Sequence, residues 1–187
     1  MNTNKLYYMQ IVFVVFLNMA VGHAQEKYLD KNGDITFEAS EKLFEEVKAT
    51  NQQVTAIINI KTGEIAALAL MKGFRFKNSL MEEHFNENYM ESESYPKAVF
   101  KGTIIDFDFS SLTEVAQTFT TKGTLALHGK EKEVTTILLI QKESNSISIT
   151  GDFKVTPEDF AIEIPKIVKN KIAKEVVVHI AFNMTVK

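Results

Sequence analysis

The segment from Val176 to Val186 reads VVVHIAFNMTV, and it decides the fold class. Apolar residues occupy every second position, which is the period of a β-strand with one buried face. These positions are Val176, Val178, Ile180, Phe182, Met184 and Val186. A strand of this length and pattern predicts a sheet that covers an apolar core.

The same two-residue period recurs through the rest of the chain. It predicts further strands at residues 34–39, 54–60, 64–71, 97–109, 117–127, 134–140 and 147–155. Lys61–Gly63 and Ser144–Asn145 predict the turns of two hairpins, because they carry residues typical of tight turns. Between residues 97 and 109 the alternation changes phase at Gly102, which predicts a bulge or a bend at a barrel corner.

Helices are expected to be few. Ser79–Glu82 has the S-x-x-E pattern of a capping box, and apolar residues follow it at helical spacing as far as Tyr89. Thr156 followed by Pro157 predicts a second and shorter helix start. Consecutive antiparallel strands with one embedded helix predict an up-and-down barrel or a sandwich. A barrel of about eight strands is just wide enough to hold one small ligand.

Composition narrows the class of protein. The chain has 187 residues, of which 45% are hydrophobic and 24% charged, so it predicts one globular domain. Its net charge of −3 argues against a nucleic-acid partner, because phosphate-backbone binding needs a basic surface. It contains no cysteine, which excludes disulfides, thiolate metal sites and cysteine catalysis. Phenylalanine is abundant at 14 copies, whereas Arg75 is the sole arginine.

The N-terminus has the features of a secretory signal peptide. Lys5 precedes an uncharged run that contains the apolar stretch Ile11–Leu17, and small residues precede a cut after Ala24. The apolar stretch is shorter than the roughly 20 residues that a membrane-spanning helix needs. We therefore expect residues 1–24 to be removed and residues 25–187 to form an exported domain.

No catalytic or metal-binding motif stands out. The histidines of the exported part, His84, His128 and His179, form no close pair, so the sequence predicts no metal site and no cofactor. The G-x-S-x-G and phosphate-loop patterns are absent. Asp106 and Asp108 would share one face of a strand, where one carboxyl could raise the pKa of the other. The preferred interpretation is that both carboxyl groups lie on a solvated outer face, opposite Ile105, Phe107 and Phe109.

An apolar cluster carries the strongest functional signal. It comprises Phe74, Phe76, Leu80, Met81, Phe85 and Tyr89. These residues lie beside Arg75 and Lys77, and they predict either the lip of a hydrophobic pocket or side chains that close the end of a barrel. A pocket here suits a ligand with an apolar tail and an anionic head, since a guanidinium group binds phosphate oxygens in a bidentate fork.

Three blocks of sequence resemble the YceI-like family of exported bacterial proteins. The first spans residues 71–102 and includes GFRFKN at 73–78, His84 and YPKAVFKG at 95–102. The second is GTLALHG at 123–129, and the third is DFAI at 159–162, shortly before Pro165. The sequence departs from the usual family pattern at Met81-Glu82, where an Arg-Asp pair is usual, and at Ala161, where glycine is usual.

The resemblance implies an all-β, lipocalin-like antiparallel up-and-down barrel of about eight strands, with one short helix near residues 79–89. It also implies an apolar tunnel that carries a polyisoprenoid or similar long-chain lipid without enzymatic activity, in the periplasm of a Gram-negative bacterium or secreted from it. The expected apolar lining is Phe76, Leu80, Met81, Phe85, Phe100, Leu138 and Ile149. The expected polar mouth is Arg75, Asn78 and His84.

Two other functions stay open at this stage. An enzyme acting on a bound lipid would use His84, Glu83 or Asp106 as its acid or base. A structural or partner-binding barrel would fill its interior with its own side chains. Two strands that are apolar on both faces, 64–71 and 134–140, also predict a homodimer. Transient contact with a membrane is expected of a lipid carrier.

Overall fold

The computed structural model describes residues 27–41 and 44–187, which form nine β-strands and one short α-helix. The strands are β1 (Lys27–Ser40), β2 (Lys48–Asn59), β3 (Glu64–Leu70), β4 (Arg75–Phe76), β5 (Lys97–Ile104), β6 (Gln117–Leu127), β7 (Lys130–Glu143), β8 (Ser146–Val155) and β9 (Ile172–Val186). The helix α1 (Ser79–His84) continues into one turn of π-helix (Phe85–Tyr89). Single 3-10 turns lie at Met71–Gly73, Phe109–Ser111 and Pro157–Phe160.

Eight of the strands close into an antiparallel barrel. Around the ring the order is β1, β2, β3, β5, β6, β7, β8 and β9, and β9 pairs back with β1. The two-residue strand β4 pairs with the start of β2 and lies outside this ring of long strands. Neighbours in the ring are almost always neighbours in sequence, so the predicted up-and-down barrel is confirmed and the sandwich alternative is wrong.

The two ends of the barrel differ. At one end, called the base here, the β2–β3 turn meets the connection from β5 to β6, where the Ile104 amide donates to the Gly63 carbonyl at 3.0 Å. That connection covers the base with Phe107, Phe109 and Leu112, all of which pack against the core. At the other end, called the mouth, two long connections leave the ring: residues 71–96 between β3 and β5, and residues 156–171 between β8 and β9.

The base half of the interior is filled by the protein's own side chains. Its filling residues come from most of the long strands and are almost entirely buried: Val54, Ile58, Ile104, Leu138, Ile140, Ile147, Ile149 and Met184. They alternate with outward residues along each strand, as the two-residue period predicts. Closing the ring also removes the exposed sheet edges that an open antiparallel sheet would carry.

Strand β5 ends earlier than the sequence predicts. The chain leaves the sheet after Ile104, and Asp106 adopts a left-handed backbone conformation with φ of 53°. The pairing of β5 with both of its neighbours runs through Gly102 without a register shift, so the predicted bulge is wrong. The apparent change of phase has another cause, since Phe107 and Phe109 lie beyond the end of the strand, where they cover the base.

The start of helix α1 also lies one residue earlier than the capping box predicts. The side chain of Asn78, rather than Ser79, accepts hydrogen bonds from the amides of Leu80 (2.9 Å) and Met81 (3.4 Å). Glu82 reaches back past the cap to the backbone amide of Phe76 at 3.1 Å. The helix itself is confirmed over the expected residues, because either cap satisfies the free first-turn amides.

The predicted signal peptide lies outside the described residues. Within residues 27–41 and 44–187, no helix is long and apolar enough to cross a membrane.

A glycine pair allows a close contact between two neighbouring strands of the barrel wall. Gly102 of β5 lies directly opposite Gly123 of β6, and the ring of Phe100 covers both. A Cβ atom added at Gly123 would lie 2.4 Å from the Lys101 carbonyl oxygen and 2.6 Å from the Phe100 ring. Neither neighbour can move without disturbing the ladder or the interior.

We therefore expect Gly123→Ala to lower the free energy of unfolding by about 1–3 kcal/mol, the usual cost of overpacking. Urea denaturation of the variant and the wild type measures this change in the free energy of unfolding. The matched control is Thr120→Ala, an exposed position of the same strand, which should stay within about 0.5 kcal/mol of the wild type. A Gly123→Ala protein as stable as the control would contradict this packing.

Candidate functional site

The mouth half of the barrel encloses an open cavity of about 430 Å³. Its walls are the inward faces of β1, β3, β5, β6, β8 and β9, and both mouth connections contribute side chains to it. The lining is almost wholly apolar and includes Ile35, Met71, Leu125, Phe153, Phe160 and Val178. A volume of several hundred Å³ lined by apolar side chains is typical of a site for a small molecule.

Four phenylalanines on one side of the cavity form a packed group, called the aromatic cluster here: Phe37, Phe74, Phe76 and Phe85. The Phe85 ring centroid lies 5.3 Å from that of Phe37, 5.9 Å from that of Phe74 and 5.2 Å from that of Phe76. All four residues line the cavity. Phe85 belongs to the π-helical turn, so the cluster fixes that turn against β1 and β4 and makes it part of the cavity wall.

Arg75 and Glu82 clamp helix α1 onto β4. The Arg75 guanidinium donates to Glu82 Oε1 at 2.7 Å and to the Lys72 carbonyl oxygen at 3.1 Å. The second carboxylate oxygen of Glu82 accepts from the Phe76 amide. The Arg75 guanidinium is therefore paired with Glu82 outside the cavity, and Arg75 does not line the cavity.

The ionisable side chains that line the cavity are Glu45, His84, Tyr89 and Lys171. Glu45 accepts a hydrogen bond from the Asn78 side chain at 3.3 Å, so the helix cap and this carboxylate lie together. Lys171 comes from the β8–β9 connection, and His84 comes from the end of α1. The mouth thus offers one carboxylate, one ammonium and one imidazole to the polar end of a bound molecule.

A smaller chamber of about 70 Å³ lies deeper in the barrel. It shares Ile35, Ala69, Ala98, Leu125 and Phe153 with the main cavity, so the two lie in line between mouth and base. The chamber is lined by apolar atoms together with Thr121 and Thr136. The Thr136 hydroxyl donates to the Asp152 carbonyl oxygen at 2.9 Å, whereas the buried Thr121 hydroxyl has no partner within the described chain.

His128 ties the two mouth connections together. Its Nδ1 lies 3.0 Å from the Phe160 carbonyl oxygen, its Nε2 lies 3.1 Å from Glu91 Oε2, and its ring packs on Tyr95 with centroids 4.4 Å apart. A carbonyl and a carboxylate both accept hydrogen bonds. The imidazole therefore makes both bonds at once only when each ring nitrogen carries a hydrogen.

The predicted site residues separate into four groups. Phe76, Met81, Phe85 and His84 line the main cavity. Phe100 and Leu138 line the inner chamber, and Ile149 is packed in the base. Leu80, Arg75 and Asn78 line neither space: Leu80 is 55% exposed, Arg75 clamps the helix and Asn78 caps it. That any of these residues contacts a ligand stays a prediction.

The predicted lining omits the part of the wall that β8 and β9 form. Phe153, Val155, Val176 and Val178 line it. The two-residue period predicts the inward face of these strands but not which of its residues border a cavity. Phe160, Ile162, Ile164 and Val168 also line it, from the connection between β8 and β9. The first three occupy alternate positions, but the segment forms no strand, so the alternation does not by itself assign them a face.

The carboxylate pair considered as a catalytic site lies elsewhere. Asp106 and Asp108 follow the end of β5 at the base, far along that strand from Ala98, which lines the cavity. Hydrogen bonds from the Ser110 hydroxyl and amide lower the pKa of Asp108, which caps a 3-10 turn. Nowhere in the described part of the chain do three His, Cys, Asp or Glu side chains lie close enough to hold a metal ion.

Comparison with known proteins gives a single family. A family model described as a YceI-like domain matches residues 28–184. No curated protein matches the sequence.

Solved structures share the fold at low sequence identity. A polyisoprenoid-binding domain from Saccharophagus degradans, implicated in plant cell wall breakdown, is 16% identical, with a TM-score of 0.74 over 87% of this chain and 99% of that one. BcnA of Burkholderia cenocepacia is 12% identical, with a TM-score of 0.67 over 80% and 95%. The YceI protein of Campylobacter jejuni is 14% identical, with a TM-score of 0.63 over 77% and 87%.

The aromatic cluster is expected to stabilise the attachment of helix α1 and its π-helical turn to the barrel. Phe85→Ala removes the ring that joins the other three, and we expect it to lower the free energy of unfolding by about 2–4 kcal/mol. Leu80→Ala, on the exposed face of the same helix, should cost no more than about 0.5 kcal/mol. Urea denaturation of both variants decides it, and equal losses would show that the cluster does not anchor the helix.

Proposed function

We propose that this chain, which belongs to the YceI-like family, is a non-enzymatic carrier of a polyisoprenoid or similar long-chain amphiphilic lipid. The lipid chain would lie in the cavity of the mouth half and extend toward the inner chamber. The observation that carries the proposal is the apolar cavity of about 430 Å³ inside a closed barrel. A polyisoprenoid-binding domain with the same fold supports the choice of ligand class.

The cavity favours a chain over a compact polar ligand. Its lining offers few hydrogen-bonding groups, and most of these lie at the mouth. Transfer of a hydrocarbon chain into such a space contributes about 0.8 kcal/mol for each buried CH₂ group. The alignment of the cavity with the inner chamber gives this space the elongated form that a chain requires.

The polar end of the lipid would be held at the mouth by Lys171 and, when it is protonated, by His84. This assignment replaces the earlier expectation for Arg75, because that guanidinium is held by Glu82 outside the cavity. Glu45 lies on the same rim and would repel an anionic group placed next to it. The head group would therefore lie nearer to the β8–β9 connection than to the loop before β2.

A catalytic role has less support. Of the three acid or base candidates, only His84 lines the cavity, whereas Glu83 is exposed and Asp106 lies at the base. A barrel filled by its own side chains is disfavoured by the cavity volume itself.

The location and partners belong to the same proposal. Removal of residues 1–24 would leave an exported domain of residues 25–187, periplasmic or secreted. Loading and delivery of a lipid would then require transient contact with a membrane. Ile137 and Leu139 are exposed on the outer face of β7, and a homodimer through this face stays a prediction.

A large side chain at the junction of the main cavity and the inner chamber should keep the lipid chain out of the inner chamber. Ala98 lies where the main cavity and the inner chamber meet, so Ala98→Phe would place a ring in the path of the lipid. We expect the affinity of the delipidated protein for a fluorescent isoprenoid analogue to fall by about tenfold or more, which corresponds to about 1.4 kcal/mol for each factor of ten. Fluorescence titration measures the affinity, and circular dichroism checks the fold.

The control is Thr103→Phe, which adds the same ring on the outward, exposed side of β5. It should leave the affinity unchanged. If the wild-type protein fails to bind the analogue, or if both variants bind as well as the wild type, the proposed site is wrong.

A further inference from the structure

An apolar side chain projects from the mouth into solvent. Ile167 is 83% exposed, the largest exposure among the large hydrophobic residues of the described chain. Its neighbour Val168 lines the cavity, as do Ile164 and Ile172. Ile167 therefore stands on the rim of the opening and points away from the lining that surrounds it. The loop residue Phe44, which is 44% exposed, lines the same opening.

The segment around Ile167 is rich in lysine. Residues Pro165–Lys174 read PKIVKNKIAK and contain four lysines and no acidic residue, although the whole chain has a net charge of −3. Lys169 pairs with Glu158 at 3.2 Å, and Lys171 lines the cavity. Lys166 and Lys174 are exposed. The segment Pro165–Lys174 is called the lysine rim below.

The charge of the mouth is distributed asymmetrically. The lysine rim comprises the end of the β8–β9 connection and the first residues of β9, whereas helix α1 and its π-helical turn pack over β1 and over β4, which pairs with β2. The α1 side carries Glu82, Glu83 and Glu87, and the loop before β2 carries Glu45 and Glu46. The lysine rim is therefore a local basic stretch, whereas acidic side chains are spread around the opening and also flank the rim at Glu163 and Glu175.

We propose that the lysine rim docks the mouth of the barrel on an anionic lipid surface, with Ile167 inserted among the lipid head groups. An exposed apolar side chain among lysines is the arrangement by which peripheral segments bind an anionic membrane interface. The acidic side chains of α1 and of the loop before β2 would be repelled by the same surface, so the lysine rim would be the part of the mouth that faces the membrane. This inference rests on the proposed function for its purpose, since docking would bring the cavity opening to the lipid.

The lysines and Ile167 contribute to membrane binding in ways that respond differently to ionic strength. Each lysine near an anionic surface raises the affinity about fivefold, and added salt screens this attraction. Insertion of Ile167 is an apolar effect that salt does not screen, so removing this side chain should weaken docking at any ionic strength.

The test is co-sedimentation of the delipidated protein with vesicles of phosphatidylcholine and phosphatidylglycerol, compared with vesicles of phosphatidylcholine alone. The rim variants are Ile167→Ser and the double variant Lys166→Gln/Lys174→Gln, which leave the cavity lining intact. Matched controls are Ile137→Ser, also exposed but on the barrel wall, and Lys101→Gln/Lys122→Gln on the outer faces of β5 and β6.

We expect the wild-type protein to bind the anionic vesicles and to bind neutral vesicles weakly. Each rim variant should lower the vesicle partition coefficient at least fivefold, and the controls should leave it unchanged. Absence of binding to anionic vesicles, or equal losses in the controls, would overturn the proposal. So would sedimentation velocity showing that Ile167→Ser only dissociates a dimer, because the rim would then face a second copy of the chain.

Titration with the isoprenoid analogue in the absence of vesicles separates this inference from the function on which it rests. All rim variants should bind the analogue as the wild type does. If the analogue binds and the vesicles do not, docking fails and lipid carriage stands. If the vesicles bind and the analogue does not, the lipid-carrier function fails and the docking surface stands.

Discussion

The closure of eight strands into one hydrogen-bonded ring determines where the core, the cavity and the two mouth connections lie. A ring of this size encloses an interior that its own side chains can just fill. Here they fill only the base half, where the inward residues are large aliphatics such as Ile58, Ile104 and Ile140. At the mouth the inward positions include Ala39, Ala69 and Ala98, and the remaining space is the cavity.

The two long connections then shape this space. Residues 71–96 bring helix α1 and three phenylalanines of the aromatic cluster to the cavity, where they pack on Phe37 of β1, and residues 156–171 bring Phe160 and Lys171. His128 bridges them from the β6–β7 turn, through Glu91 on one connection and Phe160 on the other. The segments around the opening are thus bonded to each other as well as to the sheet. The mouth is therefore an ordered part of the folded barrel.

The sequence predicts which strand residues point into the barrel, but not whether an inward residue lies in the filled base or borders the cavity. Alternation correctly assigns Leu138 and Ile149 to the interior, because the two-residue period determines which face is buried. It carries no information on whether that interior position is filled or open, which depends on the side chains of the other strands. The same limit explains Arg75: its charge predicts a mouth residue, but the ion pair with Glu82 depends on how α1 folds back on β4.

Lipid carriage requires that the barrel interior holds one long-chain lipid. Native mass spectrometry of the protein, purified from its natural compartment without detergent, would detect such a lipid, and extraction would identify it. We expect one adduct per barrel, with the mass of a chain lipid that is recovered in the extract. A spectrum with only the mass of the bare polypeptide, and an extract without a stoichiometric chain lipid, would contradict it.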